Sequence, residues 1–182
     1  MSVFEFTTVL FGFVVALGLA RVLGGIADLI QFWHQLVNPY LFGIWFLLLV
    51  LLPIGWWTSI WRFSDSSSIP LQQLLSMFHV PVFMYIATRL LVPTESEFLA
   101  INKRYDSIRT PFAMCLGLPT IVSPAIGFMT GSSEMVYLII VGSLQISLPL
   151  TNNRKYDYFV AASSVVVYVA FIVQYRAVIG HV

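Results

Sequence analysis

The polar side chains that could do chemistry in this sequence are few, and most sit inside apolar runs. Gln72, Ser76 and His79 follow an i, i+4, i+7 series and therefore share one helix face. His79 falls about 13 Å along such a helix, near the middle of about 30 Å of hydrocarbon. Pro81 cannot donate to the Met77 carbonyl, which leaves an acceptor free close by. Phe83 and Ile86 continue the same face, so the polar surface opens from one side and closes before the other. Amides, hydroxyls and an imidazole in this pattern suit a pathway for an ion or a small solute. The plainer alternative is a core histidine hydrogen-bonded to a neighbouring helix.

Other apolar runs offer partners for that stripe. Thr120 and Ser123 lie between Pro119 and Pro124, a spacing that signals a broken helix with freed carbonyls. Gln145 stands three helical turns after Glu134, and Ser163, Ser164 and Tyr168 follow in the last apolar run. The expected pathway is therefore lined by Gln72, Ser76, His79, Thr120, Ser123 and Gln145. Each of these groups also serves as ordinary interhelical glue worth about 0.6 kcal/mol in a bilayer.

Two charges interrupt the first apolar run. Arg21 and Asp28 are seven residues apart, on one face but about 10 Å along the axis, too far for a relaxed direct pair. They read as a charged gate or a structural pair, the alternative being that Arg21 snorkels to headgroups. Around them Ala16, Ala20 and Gly24 recur every fourth residue, a face that lets another backbone approach closely. It is expected to pack against protein, either another helix of the chain or a second copy.

Several chemistries are excluded by what is missing. No HExxH, GxSxG or GxxxxGKS occurs, and no carboxylate pair shares a depth for acid–base hydrolysis. An enzyme is thus the lesser expectation, with lipid or quinone chemistry as its surviving form. Haem would need two axial ligands at matching depth, whereas His34 lies near the end of the first apolar run and His181 is terminal. The single cysteine, Cys115, rules out an internal disulfide and a zinc cluster and reads as a small buried hydrophobe. No metal and no cofactor are expected. A formal charge of +1 gives no basic patch for nucleic acid.

The elements that must position these groups follow from composition. Of 182 residues, 59% are hydrophobic and 9% charged, against about 25% charged in soluble domains. So few polar groups cannot cover a water-facing surface, and lipid is the expected solvent. Cutting the chain where charge, Pro, Asn and Ser gather leaves six intervals able to cross a bilayer: 3–33, 40–61, 71–92, 111–129, 135–150 and 158–175. The fold class expected is an all-α integral membrane protein, a compact bundle of six transmembrane helices forming one domain. The first run is expected to stay as an anchor, since it lacks a basic leader and a small-residue cleavage site.

The polar gap between the third and fourth intervals reads as a short amphipathic interfacial helix over about 95–108. Thr94 and Glu97 make a capping box, and Phe98, Ile101, Tyr105 and Ile108 recur at helical spacing, with Lys103 and Arg104 at lipid headgroups. The alternative is an elbow that starts the fourth span early. Lys103, Arg104, Arg109, Arg154 and Lys155 gather on one side against Arg62 and Arg176 on the other, which puts both termini outside the cytoplasm. The setting expected is a bacterial inner membrane. Trp56, Trp57 and Trp61 mark the edge of the second span, and Pro53 and Pro149 hint at two inverted halves. The function that fits best is a small transport or channel-like protein. Its competitor is a non-transporting subunit, sensor or effector whose partners are lipid and a second copy of itself.

Overall fold

The computed structural model describes residues 3–35, 39–61, 71–92, 101–129 and 136–179, and their regular structure is entirely helical. The helices are α1 (Val3–Gln31), α2 (Pro39–Trp61), α3 (Leu71–Leu91), α4 (Ile101–Met129), α5 (Val136–Ile146) and α6 (Arg154–Ile179). Local chemistry sets several ends. Pro39 opens α2, where its missing N–H would be unpaired anyway. Pro149 lies in the short 3-10 turn Leu148–Leu150 that follows α5. Asn153 caps α6 by accepting the Lys155 N–H at 2.9 Å, and Asp157 sits in the first turn, where the helix dipole favours a carboxylate.

Side-chain contacts fix the direction of each helix. Phe11 meets Trp56 while Leu29 lies beside Gly43, so α1 and α2 are antiparallel. His79 bonds Ser123 and the Leu90 carbonyl accepts from Arg104, so α3 and α4 are antiparallel too. The crossing of Gly117 with Ile146 and of Ile121 with Gly142 reverses the chain again into α5. Helices α2, α4 and α6 therefore run one way and α1, α3 and α5 the other. The core centres on α2: Trp45 is fully buried, stands edge-on to Phe112 at 5.1 Å, and neighbours Phe42, which meets Tyr105 at 5.6 Å.

The outward faces are apolar, with Phe13 67% and Val166 67% exposed. Three helices contain stretches long and apolar enough to cross a membrane: Thr8–Gln31, Pro39–Thr58 and Arg154–Gln174. Phe78–Leu91 and Val136–Leu150 are shorter apolar segments.

Helix α4 differs from expectation twice. It runs unbroken from Ile101 to Met129, so residues 101–108 are its first turns and not part of a separate interfacial helix; residues 95–100 lie outside the described residues. The reason is packing: Tyr105 is fully buried against α2, its hydroxyl accepting from Trp45 Nε1 at 3.2 Å, so this face meets protein. Nor do Pro119 and Pro124 break the helix. Thr120 Oγ1 donates to the Leu116 carbonyl at 2.7 Å, adding a side-chain bond in the turn the prolines weaken.

Gly117 and Gly142 let α4 and α5 cross backbone to backbone. A methyl on Gly117 would stand 2.8 Å from the Gly142 carbonyl oxygen, and one on Gly142 would stand 2.9 Å from the Gly117 carbonyl oxygen. Neither neighbour can swing aside, because both are main chain. Gly142→Ala is expected to lower stability by about 1–3 kcal/mol. Gly24→Ala, where nothing lies within 4 Å, should leave stability unchanged or raise it slightly. Thermal unfolding of the two purified variants separates these outcomes.

Candidate functional site

A partly open cavity of about 110 Å³ lies among α2, α3, α4, α5 and α6. Its walls are mostly apolar: Leu52, Gly55 and Trp56 from α2, Val80 and Met84 from α3, Leu116 and Pro119 from α4, Leu138 from α5 and Phe171 from α6. Gly55 has a structural role there, since Phe171 packs within 3.4 Å of where a Cβ would stand. The polar part of the lining is Thr120, Ser123 and Tyr168, with Cys115 beside them. Thr120 Oγ1 pairs with the Tyr168 hydroxyl at 3.0 Å, and Ser123 Oγ pairs with His79 Nε2 at 3.1 Å.

The cavity exists because α4 and α6 are held apart. Three side-chain pairs join them at one constant offset of 48 residues: Asp106 with Arg154, Arg109 with Asp157, and Thr120 with Tyr168. The two helices thus run parallel and in register, yet their backbones barely approach each other among the described residues. Long side chains span the gap at one end. Farther along α4, about 16 Å from Arg109, the gap is occupied by the cavity.

The charged end is a compact network. Asp157 is 1% exposed and forms an ion pair with Arg109, while Arg154 reaches the outer carboxylate of Asp106 at 2.6 Å and the second Asp157 oxygen at 3.6 Å. The Arg154 guanidinium also lies 5.0 Å from the centre of the Tyr105 ring. Burial, and after it the Asp157 carboxylate, pushes the Tyr105 phenol well above its ordinary range, so it stays protonated at neutral pH. Arg109 Nε has no hydrogen-bond partner among the described residues.

Of the residues expected from sequence, His79, Thr120 and Ser123 come together. Gln145 does not join them. It is buried between α5 and α6, where its Nε2 donates to Ser164 Oγ at 3.0 Å, one turn along α6 from Tyr168 towards the charged end. Its Oε1 is buried without a hydrogen-bond partner among the described residues. The side chains of Gln72 and Ser76 on α3, and of Lys103 on α4, lie outside the described residues. Arg21 and Asp28 are both half-buried on α1, belong to no ion pair among the described residues, and do not line the cavity. Ala16, Ala20 and Gly24 face outward, so no other helix of the described chain packs on them. Arg104 donates to the Leu90 carbonyl at 3.3 Å, near the C-terminal end of α3, where the helix dipole favours a cation.

Sequence reasoning left the ion-pair network out of its site residues. The signal was present as Asp106-x-x-Arg109 and its mirror Arg154-x-x-Asp157, which match only if the two helices run parallel. In sequence Tyr168 is one polar group among several in its run, and Cys115 reads as a small buried hydrophobe. Comparison of the chain with protein-family models, curated proteins and solved structures finds no match.

Removing one partner of a buried pair strands the other. Asp157→Asn or Arg109→Met is expected to cost about 3–5 kcal/mol, whereas the combined Arg109→Met and Asp157→Leu replacement recovers most of it. Asp106→Asn, at the exposed edge of the same network, should cost about 0–1 kcal/mol. Unfolding midpoints of the purified variants test the order.

Proposed function

We propose that this chain is a multi-pass membrane protein that carries a small solute through an inter-helix cavity. The observation that carries the reading is that Thr120 and Ser123 from α4 and Tyr168 from α6 line one partly open cavity, with His79 of α3 bonded to Ser123 behind it. Small-molecule sites are concave and mainly apolar, with a few placed polar groups, and this lining has that character. The apolar outward faces and the three long apolar helices support lipid as the solvent. The six helices would then all cross or enter the bilayer, with both termini on the non-cytoplasmic side of a bacterial inner membrane. In that orientation the network of Asp106, Arg109, Arg154 and Asp157 closes the cytoplasmic end. Arg21 and Asp28 add two half-buried charges on α1, the natural candidates for a gate or counter-charge.

A second reading, a non-transporting membrane subunit, sensor or effector, draws support from α1. Ala16, Ala20 and Gly24 present an exposed small-residue face, and among the described residues no atom of another helix lies within 4 Å of a Cβ placed at Gly24. Such a face fits a second copy or another membrane helix.

Flux into liposomes holding the full-length protein separates the two. Transport predicts uptake above protein-free liposomes for at least one ion or small uncharged solute. His79→Ala and Ser123→Ala should slow it about three- to tenfold, the worth of one lost hydrogen bond. No uptake of any solute across a panel of both kinds sinks the transport reading in favour of the subunit.

A further inference from the structure

The directions of the hydrogen bonds around the cavity say what its guest must bring. Thr120 Oγ1 spends its one proton on the Leu116 carbonyl at 2.7 Å. In the 3.0 Å contact between Thr120 and Tyr168 the donor is therefore Tyr168. The phenol proton is used, and the Tyr168 oxygen remains as an acceptor on the cavity wall. Ser123 is bonded to His79 and offers the guest either its proton or a lone pair, depending on the histidine tautomer. Among the described residues no Asp, Glu, Lys or Arg lines the cavity. An ion entering it would lose its hydration with no opposite charge to replace it.

Size narrows the class further. A dry protein cavity of about 150 Å³ accepts benzene, so about 110 Å³ accommodates at most about six non-hydrogen atoms. Trp56, Leu116, Leu138 and Phe171 would cover most of such a guest with apolar surface.

We infer that the cavity binds an uncharged solute of at most about six non-hydrogen atoms with an apolar body and one N–H or O–H group that donates to the Tyr168 hydroxyl oxygen. This rests on the solute-cavity reading above and adds the guest's chemistry to it. Short-chain amides and alcohols belong to the class; carboxylates and ammonium ions do not, and a ketone, which has nothing to donate to Tyr168, binds more weakly.

Cys115 lines the cavity and is the chain's only cysteine, so the intact mass of the full-length protein reports its modification by methyl methanethiosulfonate. Three guests of nearly equal shape serve as competitors. Isobutyramide is neutral and carries a donor, isobutyrate is charged, and 3-methylbutan-2-one is neutral without a donor. Isobutyramide is expected to slow labelling about fivefold at concentrations where the other two change it by less than about twofold, the difference one neutral hydrogen bond makes. Tyr168→Phe should lose the protection by isobutyramide, read against that variant's own labelling rate without guest. Equal protection by isobutyrate or the ketone, or protection that survives in Tyr168→Phe, overturns the inference while leaving a cavity in place. Absence of labelling in the unliganded protein overturns the accessible cavity itself, and the solute-cavity reading falls with it.

Discussion

Helices α4 and α6 start at the same end, run in the same direction and stay apart, and most of what is distinctive in this molecule follows from what bridges them. Parallel neighbours that are not consecutive in the chain have no short loop to set their spacing. Here the spacing is set by side-chain length. At the charged end Arg109 and Asp157 fill the gap with a buried ion pair, flanked by Arg154 and Asp106. One full guanidinium plus one carboxylate is a long strut, and a strut of that length keeps the backbones from closing. Farther along, Thr120 and Tyr168 span the same gap with a smaller hydroxyl pair, and the volume they leave is the cavity. Buried ion pairs contribute little net stability, because desolvation offsets most of the Coulomb attraction. Their value here lies in fixing the register of α4 against α6.

The same economy governs the hydroxyls. Thr88, Thr120, Ser143, Ser163 and Ser164 each donate to the carbonyl four residues back on their own helix. In surroundings without water a hydroxyl proton must go somewhere, and the helix's own carbonyl is always within reach. This leaves each oxygen free to accept. Ser164 uses that freedom to receive Gln145, and Thr120 uses it to receive Tyr168. These two interhelical bonds thus have a fixed polarity, running from the long side chain to the short one. Meanwhile Gly117 and Gly142 bring α5 so close to α4 that their main chains touch, and among the described residues α5 reaches the cavity only through Leu138.

Helix positions were legible in the sequence where a single helix decides them. The interval 40–61, free of charge, is helix Pro39–Trp61, because nothing in it competes with the helical ladder. The start of α4 was legible only as the alternative, an elbow that begins the fourth span early. Lys103, Arg104, Asp106 and Arg109 look like groups that need water or headgroups when the segment is read alone. In the structure Arg109 and Asp106 find their partners on α6, 48 residues away. Complementarity between distant segments is invisible to a periodicity read along one of them. The site shows the same division. His79, Thr120 and Ser123 stood out because each is polar within an apolar run, and they converge. Gln145 met the same criterion and sits elsewhere, since helix rotation about its own axis, set here by the glycine crossing, decides which way a side chain faces.

The separation between charge and cavity has an electrostatic consequence. The four charges of the network between α4 and α6 alternate in sign, negative on Asp106 and Asp157, positive on Arg109 and Arg154, so they sum to zero and cancel in pairs. The potential of such an arrangement falls off much faster than that of a single charge. A lone charge at about 16 Å with an effective dielectric of about 20 would still bias the cavity by about 1 kcal/mol towards guests of opposite sign. Alternation removes the network's own share of that bias. Lys103 and Arg104 on α4 and Lys155 on α6 stand at the same end outside the network, and Lys155 is exposed, where solvent screens it. The buried network can therefore sit within a few helical turns of an apolar cavity without itself charging it.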